Sequence, residues 1–128
     1  IIMGKDVGKN MKPYHNMLRI YISHPFSGDE KENRRRANNI AWALTMKYPD
    51  TLFINPLDAM RHAEYAALSY EQVLAQCKCL LCACDAVYMA GAYQYSRGCT
   101  EERKTAITER IPVLTNGDEL KHFIESHH

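Results

Sequence analysis

From Leu18 onward the apolar and polar positions follow two kinds of pattern, short β-rich runs and longer stretches with helical spacing. The run Leu18-Arg-Ile-Tyr-Ile-Ser23 predicts a first strand, stopped by the turn-forming cluster His24-Pro-Phe-Ser-Gly28. Ala37, Ile40, Ala41, Leu44 and Tyr48 then recur at helical spacing and predict a helix from Asp29 to Lys47, with Asp29 and Glu30 near the start, where carboxylates suit the helix dipole. Thr51 to Asn55 predicts a second strand, and Pro56 sits where a helix can begin. Two helical pieces, Leu57 to Ala67 and Tyr70 to Cys82, lead into a third strand, Ala86 to Met89. A loop from Ala90 to Arg97, a helix from Gly98 to Arg110, a fourth strand from Ile111 to Leu114 and a last helix to Ser126 complete the pattern.

Alternation of this kind predicts an α/β fold, because parallel strands need crossover helices to connect them. The expected architecture has three layers, a Rossmann- or flavodoxin-like open parallel sheet of four to five strands with helices on both faces. In such sheets ligands bind beyond the carboxyl ends of the strands. That draws attention to Ser23–Gly28, Asn55–Asp58 and Ala90–Glu102.

Length fits one domain. A chain of 128 residues and 14.7 kDa buries about two-thirds of its unfolded surface, enough for a core without staples. Residues 1–17, with Gly4, Gly8 and no sustained period, are expected to be a flexible N-terminal extension, and residues 18–128 the single domain. Sixteen basic and fifteen acidic residues give a net charge of +1, without the basic footprint of a nucleic-acid-coating protein. No run approaches the length of a membrane span, and no secretory signal pattern is present, so a cytoplasmic location with no membrane partner is expected.

Two loops carry the candidate chemistry. Ser23-His-Pro-Phe-Ser-Gly28 feeds a helix start, where unpaired amides and the dipole favour an anion; an ordinary strand-to-helix turn explains the same residues. Ser96-Arg-Gly98-Cys-Thr-Glu-Glu102 repeats the arrangement and adds two acids. Positions 99, 102 and 106 fall on one helical stripe, so Glu102 shares a face with Cys99 and Ala106, while Glu101, Lys104, Thr105 and Thr108 form a polar stripe. A carboxylate on an apolar face is costly unless paired or used; the alternative is a first-turn acid favoured by the dipole.

Other clusters carry less. Cys77-Lys-Cys79-Leu-Leu-Cys82-Ala-Cys84 invites a metal, yet on a helix Cys77 and Cys79 diverge by about 200°, and small buried hydrophobes are the better account. Neither a metal nor another cofactor is expected. Arg34-Arg-Arg36 either binds phosphate or lines a solvated face, and the solvated face is favoured. Among the histidines only His24, inside the first loop, is a candidate general acid.

Tyr21-Ile-Ser-His-Pro-Phe-Ser-Gly28, Asn55-Pro56, Cys84-Asp85-Ala-Val-Tyr88 and Ser96-x-Gly98-x-x-x-Glu102 together resemble the nucleoside 2-deoxyribosyltransferase superfamily, over Leu18 to Leu114. The resemblance looks closest to a small-protein branch known as a domain of unknown function, then to the deoxynucleoside 5′-monophosphate N-glycosidases. It implies Glu102 as the nucleophile at the anomeric carbon, Ser96 and Gly98 at the 5′ end of a nucleoside or nucleotide, and the loop Tyr21, Ser23, His24, Phe26, Ser27 and Gly28 closing over sugar and phosphate, with Asn55 beside them. It also implies a homo-oligomer, because relatives complete their sites across subunit interfaces. The chain departs from the pattern in two places: Cys77 stands where the superfamily has an aspartate eight residues before the one matching Asp85, and Ser27 stands where the monophosphate glycosidases have an arginine. Base protonation would then fall to Asp58, Glu71 or His24. The pocket kept for binding alone, without catalysis, is the other function such a sequence suggests.

Overall fold

The computed structural model describes residues 13–127, so most of the expected N-terminal extension lies outside the described residues. Its last part, Pro13–Asn16, is a short helical turn (α1). Four strands follow, β1 (Arg19–Ser23), β2 (Leu52–Ile54), β3 (Ala86–Met89) and β4 (Val113–Leu114), all paired in parallel in the order β2-β1-β3-β4. The helices between and after them are α2 (Glu30–Lys47), α3 (Pro56–Ala59), α4 (Arg61–Tyr65), α5 (Tyr70–Cys82), α6 (Arg97–Thr108) and α7 (Gly117–Ser126), with a 3₁₀ turn at Tyr93–Tyr95. The fold is thus the α/β open parallel sheet that the alternation predicts, with four strands.

The period of two along β1 and β3 sorts the core into two apolar clusters. Tyr21, Val87 and Met89 pack with Leu81 of α5 and with Cys99 and Ala106 of α6. Ile20 and Ala86 pack on the opposite face with Leu120 and Ile124 of α7, flanked by Leu44 of α2. Helices therefore cover both faces.

Several ends differ from the sequence pattern for local reasons. The expected helix over Leu57–Ala67 is two short helices, broken at Met60, whose backbone (φ −102°, ψ 18°) leaves the helical region. β2 stops at Ile54 because Asn55 turns to cap α3, accepting from the Leu57 amide at 3.2 Å. Helix α6 ends at Thr108 because Arg110 takes φ +60°, and the Ile111 amide donates back to the Ala106 carbonyl at 2.8 Å. β4 is short: Pro112 has no amide to give, although its carbonyl accepts from Val87 at 3.0 Å.

Asp85 ties the amino ends of the strands together. Its carboxylate accepts from the Arg19 amide at 2.8 Å, and its own amide donates to the Arg19 carbonyl at 2.8 Å. Asp85 is thus a clamp between the two central strands, β1 and β3, at the end of the sheet away from the loops that follow the strands.

Candidate active site

At the carboxyl ends of the strands a cavity of about 960 Å³ opens between the loop after β1, the N-terminal half of α5 and the start of α6. Glu102 lies in its wall. The side chain projects from the second turn of α6, on the stripe shared with buried Cys99 and Ala106, as the spacing predicts. Two residues of β1 hold its carboxylate from behind: the Tyr21 hydroxyl donates to Oε2, and the Ser23 hydroxyl donates to Oε1 at 2.6 Å. Both are fully buried, and both point to this face because they stand two apart in a strand.

Burial pushes the Glu102 carboxyl above its ordinary range, against the hydroxyls of Ser23 and Tyr21 and the charge of Lys78, which pull it down. Its neighbour goes the other way. Lys78, 3.3 Å from Glu101, holds the Glu101 carboxyl below the usual range. One helix turn thus carries two adjacent carboxyls in opposed environments, a paired surface acid and a buried one facing a cavity. The Tyr21 hydroxyl is itself pushed well up, first by burial and then by the charge of Glu102.

Two thiols adjoin the carboxylate. Burial pushes Cys77 up to about 11, with Glu102 adding to the rise and the Tyr21 hydroxyl opposing it. Cys99 is also raised by burial, against the hydroxyls of Ser23 and Ser96. Both are neutral thiols in this setting, and both line the cavity. Among the described residues no group of three or more histidine, cysteine or acidic side chains is placed to hold a metal.

The N-terminus of α6 forms another part of the wall. Ser96 is the N-cap, its hydroxyl accepting from the Cys99 amide at 3.2 Å, which leaves the amides of Arg97 and Gly98 at the cavity edge. A Cβ on Gly98 would meet the Tyr70 hydroxyl at 3.5 Å and the Ser96 hydroxyl at 3.9 Å, both ordinary contacts, so the free protein would tolerate a side chain there. Across from it, His24 is buried, and its Nδ1 donates to the Pro25 carbonyl at 2.8 Å, since a carbonyl can only accept. Gly91, after β3, takes φ +63° and lies so close to His24 that a Cβ would stand 2.9 Å from Nε2. That position admits only glycine without a shift of the ring.

His24, Phe26, Ser27, Ser96, Gly98 and Glu102 all line the cavity. Tyr21 and Ser23 stand behind the carboxylate as its holders. Gly28 and Asn55 do not reach the wall: Gly28 makes the turn into α2 at φ +102°, and Asn55 is spent on capping α3 and on donating to Asn38 at 2.7 Å. Of the three groups considered for base protonation, only His24 borders the cavity. Asp58 and Glu71 are exposed and paired with Arg61 and Arg97.

Sequence reasoning drew attention to the segment that holds Gly91 and Arg97 and to the arginine run that holds Arg36 without naming any of the three as a wall residue, and it missed Tyr70. Gly91, two residues past the end of β3, carried a local signal, a glycine in the loop that follows a strand. Tyr70 carries the Arg97 guanidinium 4.7 Å over its ring, and that arginine also reaches Glu71 at 2.7 Å.

Residues 18–115 match the family model described as a domain of unknown function, DUF4406. The chain belongs to that family. The match begins at the first residue of the buried core and takes in all four strands, the Tyr21, Ser23 and Glu102 constellation and every cavity-lining residue. No curated protein and no solved structure matches the chain. Among the described residues no helix is long and apolar enough to cross a membrane.

Proposed function

We propose that the chain breaks or transfers the N-glycosidic bond of 2′-deoxynucleosides or their 5′-monophosphates, with Glu102 as the nucleophile. The observation that carries this reading is a buried carboxylate held by two hydroxyls at the wall of a nucleotide-sized cavity. The likeness of the Tyr21–Gly28 and Ser96-x-Gly98-x-x-x-Glu102 motifs to the nucleoside 2-deoxyribosyltransferase superfamily supports it.

The chemistry asks for this arrangement. As the C–N bond lengthens, the sugar gains oxocarbenium character, and a preoriented carboxylate in a low-dielectric wall stabilises the developing positive charge. A Glu102 oxygen then bonds to the anomeric carbon while the base departs with the electron pair of the C–N bond and takes a proton. Water on the resulting ester gives hydrolysis, and a second base gives transfer. Tyr21 and Ser23 fix the carboxylate so that it need not reorganise. In this reading Ser96, Gly98 and the α6 N-terminus receive the 5′ end of the substrate, and His24, which lines the cavity, is assigned the protonation of the departing base.

A second reading, a binding module without turnover, is favoured by Cys77, a neutral thiol in the wall at the position where the resembled superfamily has an aspartate. A chromatographic assay of free base, run over deoxynucleosides and their 5′-monophosphates with wild type beside Glu102→Gln, separates the two. Release by wild type that falls to background in Glu102→Gln supports the enzyme, and adding a second base distinguishes transfer from hydrolysis. Thermal stabilisation by a nucleotide with no base released supports the binding module. Release that survives in Glu102→Gln removes the nucleophile.

A further inference from the structure

The stereochemistry of a nucleoside decides which of its atoms meet Glu102. In a β-nucleoside the base and the 5′ carbon project from one face of the furanose ring, and the 2′ and 3′ hydroxyls from the other. A nucleophile that displaces the base reaches the anomeric carbon from the hydroxyl face. The side chains that flank the Glu102 carboxylate are therefore the ones that meet the sugar's hydroxyls.

Those flanking groups are poor partners for a hydroxyl. Tyr21 and Ser23 are fully buried behind the carboxylate and already donate to its two oxygens. Cys99, one turn of α6 before Glu102, is 1% exposed and belongs to the apolar cluster with Leu81 and Met89. Cys77 packs on the same cluster but is only half-buried and lines the cavity, so its thiol is open to a ligand. It ends a stripe on α5, Tyr70, Val73, Leu74 and Cys77 at i, i+3, i+4 and i+7, all of it in the cavity wall. Val73 and Leu74 form no hydrogen bond, and the Tyr70 hydroxyl stands beside Gly98, one turn of α6 away from Glu102. Burial, reinforced by the charge of Glu102, pushes the Cys77 thiol up to about 11, so it keeps its proton. A neutral thiol is both a weak donor and a weak acceptor.

We infer that the cavity reads the sugar by shape and not by its hydroxyls, with Cys77 as the specificity-determining residue, so that 2′,3′-dideoxynucleotides bind as well as 2′-deoxynucleotides. The inference rests on reading the cavity as a nucleotide site with the sugar over Glu102, and it widens the substrate class of that site. A site built to hydrogen-bond a hydroxyl rejects the analogue that lacks it, because a buried polar group is then left unpaired. Cys77 leaves no such group behind, since a thiol loses little when its hydrogen bond is missing.

Affinity is the readout that tests this, because removing a hydroxyl also eases the breaking of the C–N bond. Calorimetric titration of Glu102→Gln, which keeps the shape of the site without its nucleophile, compares the common 2′-deoxynucleoside 5′-monophosphates with their 2′,3′-dideoxy counterparts. Each pair is expected to bind within about threefold, and Cys77→Ala on the same background to leave the ratio there. Cys77→Asp on that background, where Glu102 no longer opposes the new charge, is expected to favour the 2′-deoxy member by at least about tenfold, because a carboxylate accepts strongly from a 3′ hydroxyl. Should that variant melt early, Cys77→Ser, close to cysteine in size, is expected to move the ratio several-fold in the same direction. A preference of about tenfold or more for the 2′-deoxy members with Cys77 in place overturns the inference, as does a ratio that stays near one in both Cys77→Asp and Cys77→Ser. No binding of any nucleotide overturns it together with the reading it rests on. Base release that depends on Glu102 alongside a strong 2′-deoxy preference overturns this inference and leaves the glycosidic reading standing. Pairs of equal affinity with no base released by wild type do the reverse.

Discussion

The two faces of the sheet use the same strands for different ends. On one face Ile20, Ala86 and Leu114 meet Leu120 and Ile124 of α7 in an apolar layer. On the other, the alternate positions of the same strand β1 are Tyr21 and Ser23, whose hydroxyls are buried as completely as Ile20 and aimed at Glu102. Burying two hydroxyls and a carboxyl is tolerable only because each satisfies another. The apolar face is therefore a stability device, and the opposite face exchanges part of that stability for a fixed carboxylate beside a cavity.

Changes on the two faces should separate accordingly. The largest effect is expected from Glu102→Gln, which keeps shape and one acceptor but removes the nucleophile: base release should fall at least about a thousandfold while the folded protein persists. A matching cut on the other face, Leu120→Ala, should cost about 2–5 kcal/mol of stability in denaturant titration and leave turnover per folded molecule unchanged. Loss of turnover in Leu120→Ala below its unfolding range would break the division between faces.

A smaller effect concerns pH. Burial raises Glu102 in the folded protein above its unfolded value, so the native state keeps this proton longer. Its contribution to stability is therefore complete below the ordinary carboxylate range and declines as pH rises through the raised folded value. Turnover needs the carboxylate and should rise through that same value. Tyr21→Phe removes a donor that favours the charged form; the acidic limb of the pH–rate profile should move upward, with about 1–2 kcal/mol lost in stability. An unmoved limb would mean that Tyr21 does not tune the carboxylate.

The smallest effect is a matched pair of helix caps. Ser96 caps α6 and Asn116 caps α7, each accepting from the third amide of its helix at 3.2 Å and 2.9 Å. Ser96→Ala and Asn116→Ala should each cost about 1 kcal/mol, yet only Ser96→Ala should raise KM. Equal KM values in the two would place the 5′ end of the substrate elsewhere.

The layout of strands and helices was legible because each element announces itself locally, by alternation, by spacing or by a turn residue. Glu102 was legible for the same reason, since one helical stripe separates it from Glu101. What escaped depended on residues distant in the chain. Arg34 turns inward because its acceptors, Leu57 and Glu64, come 23 and 30 residues later. Asn55 looks like a binding residue until its partners, the α3 amide and Asn38, are seen to occupy it. Tyr70 and Arg97 reach the cavity only because α5 packs against α6, and no periodicity in either helix signals that contact.

Glu102 as a nucleophile is tested most directly by acid-quenching wild-type protein during turnover of a deoxynucleoside 5′-monophosphate and mapping its peptides by mass spectrometry. The account predicts a deoxyribosyl phosphate adduct on Glu102 that forms with base release and is absent from Glu102→Gln. Base released at full rate by Glu102→Gln, or an adduct on any other residue, would contradict it.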